Sequence, residues 1–139
     1  MKLGIMRRTD IALQALRALD AEDAVLQASQ LADHTGATPQ FIPQVLTPMV
    51  RAGWIASETG PNGGYRLTAD LGERSILELI ELMEGPTDDG RCVVGPSECT
   101  PDEPCALHDS WTWARAALVE RLDRIPIRDR TTQPTRKGS

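Results

Sequence analysis

The sequence predicts a mainly α fold with one small β-hairpin, and three features lead to this prediction. Apolar residues recur at three- and four-residue spacing in several segments, as they do along one face of an α-helix. Glycine and proline separate these segments at places where helices commonly end. The glycine-rich stretch GPNGGYRL lies between two short runs of strand-forming residues. With 139 residues, the chain is long enough for one domain, or for a small domain with one added element.

Two helices are expected at the start of the chain. The first runs from Arg8 to Asp20 and is amphipathic, because its apolar positions fall on one helical face. The second is short, covers the stretch LQASQLADHTG and stops at Gly36. Glycine favours this end because it readily adopts the left-handed conformation that terminates a helix.

A third helix is expected next, with Thr38 as its N-cap and Pro39 as its first helical residue. It should end near Ala52. Pro43 and Pro48 lie inside it, and an interior proline costs about 3 kcal/mol. The apolar stripe nevertheless continues without a gap, which favours a helix that tolerates both prolines; the stripe consists of Ile42, Val45, Leu46, Met49 and Val50.

The turn between the second and third helices, Thr35–Gly36–Ala37, is typical of a helix-turn-helix, although any helical hairpin has the same pattern. Two short strands are expected to follow, at Trp54–Ser57 and Tyr65–Thr68, around a turn at Pro61–Gly64. Helix, turn, helix and hairpin in this order predict a winged helix. The prediction is therefore a DNA-binding module rather than a simple helical hairpin.

The second half of the chain contains two further predicted helices. Ser75 and Glu78 have the spacing of a capping box and open a helix that the Gly85–Pro86 pair closes. The cysteine-containing stretch that follows carries three prolines and is expected to be a loop. A long helix should then run from Cys105 to Pro126. Its apolar stripe is longer than a small domain can bury, which predicts that it holds a homodimer together through Leu107, Trp111, Ala114, Leu118 and Leu122.

The predicted elements divide the chain into a winged helix-turn-helix domain (1–72), a cysteine loop with a dimerisation helix (73–126) and a flexible polar tail (127–139). Residues 1–68 contain six Lys/Arg and six Asp/Glu, so the whole net charge of −5 belongs to the remainder. An acidic second half disfavours contact with phosphate, whereas the first half is compatible with it. No apolar run reaches the ~20 residues of a membrane span and no secretory signal is recognised, so a cytoplasmic protein without a membrane partner is expected.

All three cysteines, Cys92, Cys99 and Cys105, lie in the stretch RCVVGPSECTPDEPCALHDSW, and His108 follows three residues after the last. Three thiolates and one imidazole are ligands that zinc and [2Fe–2S] centres use. The spacing is wider than the short cysteine knuckles of most zinc sites, which favours an iron–sulfur cluster. The alternatives are a zinc-stabilised protein-interaction domain, a thiol redox switch, and a small redox enzyme or electron carrier. Because no phosphate loop or substrate-pocket motif occurs, neither enzymatic activity nor a small-molecule substrate is expected.

These features together resemble the IscR/NsrR-type (Rrf-two-type) family of bacterial iron–sulfur winged-helix transcriptional regulators. The resemblance rests on RRTDIALQAL, on QASQLADHTGATPQFIPQVLTPMVRAGWI, on the wing GPNGGYRL and on the three spaced cysteines after MEGP. It covers roughly residues 1–125. It implies a homodimer that binds operator DNA, carries a cluster on Cys92, Cys99 and Cys105, and senses iron–sulfur status, redox state or nitric oxide.

The resemblance offers two candidates for the fourth ligand. His108 resembles the histidine of [2Fe–2S] members and is the preferred ligand. Asp10 falls where [4Fe–4S] nitric oxide sensors use a carboxylate from the other subunit, although an aspartate near a helix N-terminus also stabilises the helix dipole. A [2Fe–2S] cluster is therefore preferred, and a [4Fe–4S] cluster is the alternative.

DNA contacts are expected from the third helix, the chain start and the wing. Bases would be read by Thr38, Gln40 and Gln44, and glutamine suits bidentate pairing with adenine. Phosphates would be held by Lys2, Arg7, Arg8 and Arg51. The wing would let its backbone approach the duplex at Asn62, Gly63 and Gly64. Thr59 stands where the family often has a wing arginine, and Arg66 is the candidate to compensate. Without the resemblance, the exposed glutamines would indicate only a solvated helix face.

Overall fold

A computed structural model describes residues 4–88, 92, 100 and 102–128 of the chain. Within these residues the order of elements is three helices, a hairpin and two helices: α1 (Arg7–Glu22), α2 (Ala28–Thr35), α3 (Phe41–Arg51), β1 (Ile55–Glu58), β2 (Gly64–Leu67), α4 (Ile76–Glu84) and α5 (His108–Asp123). The two strands are antiparallel neighbours. This order confirms the predicted mainly α fold with a hairpin wing. None of the described helices is both long and apolar enough to cross a bilayer.

The core lies around α1, which packs against α2, α3, α4 and β2. Two alanines on its inner face, Ala12 and Ala15, are fully buried and allow neighbouring helices to approach closely. Larger side chains from each surrounding helix fill the remaining space, namely Leu31, Ile42, Leu46, Met49 and Leu79. Burial of such side chains contributes about 1.5–3 kcal/mol each, so packing against α1 is the main stabilising feature of this domain.

The turn of the helix-turn-helix has the predicted glycine end. Gly36 has φ +76°, and its N–H donates to the carbonyl of Ala32 at 2.8 Å. The hydroxyl of Thr35 donates to the carbonyl of Leu31 at 2.9 Å and is buried. The last turn of α2 is therefore closed by a left-handed glycine and by a side chain that satisfies a carbonyl.

The predicted start of the third helix is wrong by about two residues. The helix begins at Phe41, and Gln40 precedes it without a side-chain cap. Thr38 and Phe41 instead delimit a turn in which the Thr38 carbonyl accepts the Phe41 N–H at 3.1 Å. Proline is favoured at the second position of such a turn, which explains why Pro39 lies there and not inside the helix. Pro48 remains within α3, as predicted.

The wing is anchored to the segment between α1 and α2. Leu26 and Tyr65 exchange two backbone hydrogen bonds, at 3.0 and 2.8 Å, so Leu26 forms an isolated bridge beside β2. Gly64 has φ +146°, and a Cβ there would lie 2.5 Å from the carbonyl oxygen of Leu26. Glycine is therefore required where the wing passes its anchor.

The capping box of α4 is confirmed. The hydroxyl of Ser75 accepts the Glu78 N–H at 3.1 Å, and the Glu78 carboxylate accepts the Ser75 N–H at 3.0 Å. Burial acts to raise the pKa of Glu78, but the hydrogen bond from the Ser75 backbone and the adjacent Arg74 guanidinium leave that pKa below its ordinary value. The helix start is thus stabilised by an ionised side chain.

The boundary of the predicted tail is corrected by two residues. Ile127 is fully buried, its N–H donates to the Arg74 carbonyl at 2.8 Å, and its own carbonyl accepts from Arg17 at 2.9 Å. Arg128 forms a two-bond ion pair with Asp20 at 2.8 and 3.0 Å. Residues 127 and 128 therefore belong to the folded domain. The rest of the predicted tail, 129–139, lies outside the described residues.

The last helix begins later than predicted. It starts at His108 and not at Cys105, because residues 106 and 107 form a turn in which the Cys105 carbonyl accepts the His108 N–H at 3.1 Å. The helix packs against α4, and the Ser75 hydroxyl donates to Asp123 near its end at 3.2 Å. The end of α5 is thus held against the start of α4.

Candidate functional site

One face of α3 is free for contact with another molecule. Gln44, Thr47 and Arg51 are exposed on it, and Gln40 is exposed at its N-cap, whereas most of the apolar stripe of the same helix is buried. The side chains of Gln40 and Gln44 make no hydrogen bond to any other described residue. The predicted residue Thr38 is also exposed, in the turn just before the helix. The structure thus places all three predicted base-reading residues on or beside one exposed surface.

The predicted phosphate-binding side chains differ in whether they already bond to other groups of the protein. Arg7 and Arg51 are exposed and form no ion pair with the described part of the chain. Arg8 donates to the Met83 carbonyl at 3.1 Å, and Arg66 is paired with Glu58 at 2.9 Å. Lys2 lies outside the described residues. Among the described cations of this set, Arg7 and Arg51 are therefore the ones immediately available to an anion.

Close backbone contacts within the protein explain why the wing contains Gly63 and Gly64. Gly63 is buried, and a Cβ there would collide with the Glu58 carbonyl oxygen across the hairpin turn. Gly64 is required by Leu26, as described above. Asn62 is exposed at the tip of the turn, and so is Thr59. The glycines are thus needed to build the wing, and their predicted role in approaching DNA stays a prediction.

A polar junction joins the start of α1 to the end of α4, and no sequence pattern predicts it. The Glu84 carboxylate accepts the Met6 N–H at 2.8 Å and the Thr9 hydroxyl at 2.5 Å. Thr9 is fully buried. In return, Arg8 donates to the carbonyl of Met83, one of the last in α4. Each helix end therefore satisfies free backbone groups of the other. The junction holds Arg7 in place and lies eight residues before Cys92.

Two of the predicted metal ligands are brought together. The sulfurs of Cys92 and Cys105 are 3.4 Å apart, and both residues are half-buried. Two thiolates on one tetrahedral metal, with bonds of about 2.3 Å, would be about 3.8 Å apart. A small adjustment would thus let both sulfurs bind one metal atom, either a zinc ion or a single iron of a cluster. The soft donor set and its convergence fit such a group.

Of the other predicted ligands, the two that the structure describes, His108 and Asp10, do not form a metal-binding group with this pair. Cys99 lies outside the described residues. His108 is half-buried at the first position of α5, and Asp10 accepts a hydrogen bond from Gln14 at 3.0 Å. Within the described ranges, no group of three or more histidine, cysteine or acidic side chains is placed to hold a metal. The full ligand set therefore stays a prediction.

The last helix exposes apolar side chains. The solvent-exposed fraction is 40% for Leu107, 49% for Leu118, 39% for Ile125 and 74% for Trp113. Ala114 is also exposed, whereas Trp111 and Leu122 are half-buried. Ala114 and Leu118 lie on one face of α5, and Leu107 and Ile125 extend this face just beyond the two helix ends; these four residues are called the α5 stripe below. Three of the five predicted dimer residues thus face outward. The other two, Trp111 and Leu122, lie at the edge of the α5 stripe that is partly covered by the rest of the chain.

The chain is similar to known regulators over most of its length. A family model described as Rrf2, an iron-dependent transcriptional regulator, matches residues 5–132. The HTH-type transcriptional regulator IscR of Vibrio vulnificus is 26% identical over 127 residues, which cover 91% of this chain and 75% of that protein. IscR of Cronobacter sakazakii is 28% identical over 110 residues, covering 79% and 67%.

Solved structures show the same fold. CymR (YrzC), the global cysteine regulator of B. subtilis, matches with a TM-score of 0.75 at 23% identity, over 94% of this chain and 98% of that one. IscR of T. potens matches with a TM-score of 0.72 at 19% identity, over 95% and 88%. At these identities the likeness establishes the fold, and it confirms the predicted winged helix.

Proposed function

Because this chain belongs to the Rrf2 family of transcriptional regulators, we propose that it binds operator DNA as a homodimer and that this binding responds to an iron–sulfur cluster. The family consists of regulators and not of enzymes, in agreement with the sequence prediction. The observation that carries the cluster proposal is the 3.4 Å separation of the Cys92 and Cys105 sulfurs. Such a protein would act on DNA in the cytoplasm.

DNA recognition is proposed for the exposed face of α3. Its buried side packs on α1, so the helix is held firmly while Gln40 and Gln44 remain free to pair with base edges. Arg51 at its end and Arg7 at the start of α1 would hold phosphates, with Lys2 and Arg8 as further candidates. Because few cations take part, the salt dependence of binding should be shallow.

The wing is proposed to contribute little positive charge to phosphate binding. Thr59 occupies the place of the family's arginine, and the Arg66 guanidinium is already paired with Glu58. Exposed ion pairs contribute little to stability, so phosphate could compete for Arg66. In the proposed complex, the tip at Asn62 approaches the duplex through its backbone and its amide.

Gln44→Ala is expected to lower operator affinity by about 1–3 kcal/mol and to relax the preference at one base position in each half-site. The reason is that its free amide would pair with a base, and alanine cannot replace that pair. Competition titrations with operators mutated base by base measure this effect. Thr112→Ala, at an exposed position of α5, is the control and should bind as the parent does. If Gln44→Ala keeps full discrimination at every position, Gln44 does not read bases.

The proposed cluster ligands are Cys92, Cys99 and Cys105, with His108 as the preferred fourth ligand of a [2Fe–2S] centre. Asp10 of the partner subunit is the alternative, in a [4Fe–4S] centre. When bound, such a centre supplies sensitivity to oxidants, to nitric oxide and to iron supply.

His108→Ala is expected to change the visible spectrum of the anaerobically purified protein and to speed cluster loss, while Asp10→Ala leaves both unchanged. The reason is that only removal of a true ligand alters the iron environment. Iron and sulfide counts with the absorption spectrum measure this, and Asp109→Ala is the neighbouring control. The opposite pattern would assign Asp10 and the [4Fe–4S] centre. A colourless parent that holds zinc would contradict the cluster proposal and favour a zinc-stabilised interaction domain.

A further inference from the structure

We infer that Cys92 and Cys105 form an intramolecular disulfide when the cluster is absent and a hydroperoxide reaches them, and that this disulfide prevents the cluster from being reloaded. The disulfide itself follows from the geometry of the pair. The block on reloading rests on the proposed function, because it concerns the same ligands.

The two described cysteines are already close enough to form this bond after a small movement. Cys99 is seven residues from Cys92 and six from Cys105, so either of those pairs closes a shorter loop. The structure brings the sulfurs of the first and last cysteines to 3.4 Å, across thirteen positions of the chain. Closing that gap to the 2.05 Å of a disulfide requires a movement of about 1.4 Å, which is within the reach of side-chain rotation.

The surroundings of the pair permit the movement and the oxidant. Cys92 lies outside any described helix or strand, and Cys105 precedes the first residue of α5 by three positions. Neither residue therefore has to break regular backbone hydrogen bonds. Both are half-buried, so a small peroxide can reach a sulfur. The second sulfur is already beside the first when the oxidised intermediate forms.

The chemistry proceeds in two balanced steps. A hydroperoxide, ROOH, transfers one oxygen to the first thiol, which becomes a sulfenic acid while the peroxide leaves as the alcohol ROH. The second thiol then attacks the sulfenic sulfur, the S–S bond forms, and the hydroxyl leaves with the thiol proton as water. Two electrons pass from the two sulfurs to the peroxide. A dithiol reductant reverses the oxidation.

The disulfide would remove two of the three proposed cysteine ligands. A cluster requires thiolate sulfurs, and a disulfide sulfur is not a thiolate. The oxidised chain would therefore stay free of cluster until a reductant opens the bond. In this way the cysteine site would report two separate events, the loss of its cluster and the oxidation that follows.

Peptide mapping tests the disulfide directly. Cluster-free full-length protein is treated with hydrogen peroxide, the remaining thiols are blocked, and the chain is cleaved after Glu98 and before Asp102. These cuts place each cysteine on a different peptide. We expect a mass loss of about 2 Da and one linked pair, the peptides of Cys92 and Cys105. Cys99→Ser should form the same link, and Cys92→Ser and Cys105→Ser should not. A link through Cys99, or only sulfinic acids, would overturn the inference.

Reloading of the cluster tests whether the disulfide prevents cluster binding. Reduced and oxidised samples are incubated anaerobically with iron and sulfide in the absence of thiols, and the visible absorption is compared. The oxidised parent should gain at least about tenfold less absorption than the reduced parent, and prior treatment with a phosphine reductant should restore it. Equal loading of the two samples would overturn the block. If the reduced parent also fails to load, the proposed cluster function is wrong, and the linked peptides still decide the disulfide.

Discussion

Leu118→Glu is expected to convert the dimer into monomers and to reduce operator affinity by at least about 100-fold. Leu118 lies on the α5 stripe and keeps 49% of its exposure in the protomer, so a partner has apolar surface to cover there. In a two-fold dimer the substitution occurs twice, and each copy would place a carboxylate in an apolar contact. A loss of about 2 kcal/mol per copy raises the dissociation constant of the dimer by about 1,000-fold.

Loss of the dimer lowers operator affinity, because two linked winged helix-turn-helix domains bind two half-sites far more tightly than two separate domains do. Sedimentation velocity measures the mass, and fluorescence anisotropy with an operator selected from random duplexes measures the affinity. Ala116→Glu is the matched control, since Ala116 is exposed on the opposite side of the same helix. If Leu118→Glu remains dimeric at micromolar concentration, the α5 stripe is not the dimer surface, and a different apolar face must be sought.

Removal of the cluster is expected to change operator affinity by about 5- to 150-fold, the range of coupling energies of 1–3 kcal/mol. Among the described residues, two sets of contacts outline a path from the cysteines toward the winged helix-turn-helix. Asp88, four residues before Cys92, lies 3.6 Å from Arg115 of α5. Glu84, at the end of α4, holds the first turn of α1, where Arg7 is exposed.

A change at the cysteines can act through this path without altering a base contact. In the proposed switch, loss of the cluster would release Cys92 from Cys105 and let the end of α4 shift relative to α5. Such a shift moves the start of α1 and changes the distance between the two copies of α3. The two states then differ in how well they match the spacing of the half-sites, which is the differential affinity that a switch requires.

The helices could be predicted because their signals are local. The apolar stripe of α3 outweighed the interior Pro48, since side-chain burial on α1 is larger than the cost of one proline. The capping box at Ser75 and Glu78 is written in four consecutive residues and has the expected hydrogen bonds. The start of α3 was misplaced because a threonine followed by proline favours a turn as well as a helix cap.

The contacts that join distant elements could not be predicted in the same way. Ile127 follows Pro126, beyond the end of the last helix, so no periodic pattern marks it as a core residue, and its partner Arg17 is 110 positions earlier. The Glu84 and Thr9 side chains meet across 75 positions. Each is an ordinary residue within its own helix, and only the packing of α4 on α1 gives the pair its role.

The sequence predicts a site at the cysteines, but it does not predict which sulfurs lie close together. Spacing alone favours contact between neighbouring cysteines. The structure places Cys92 beside Cys105 because the chain returns from the end of α4 to the start of α5, and these helices pack together. The proposed disulfide depends entirely on this return.

The most direct test compares operator binding by the same dimer with and without its cluster. Anaerobically loaded protein, protein stripped by a chelator under reducing conditions, and Cys92→Ser are titrated against one selected operator by fluorescence anisotropy. We predict that the loaded parent differs from the stripped parent by at least about fivefold in dissociation constant, and that Cys92→Ser matches the stripped parent whether or not iron and sulfide are supplied. Equal affinities for all three samples, with the cluster verified by iron and sulfide counts in the loaded one, would contradict the account.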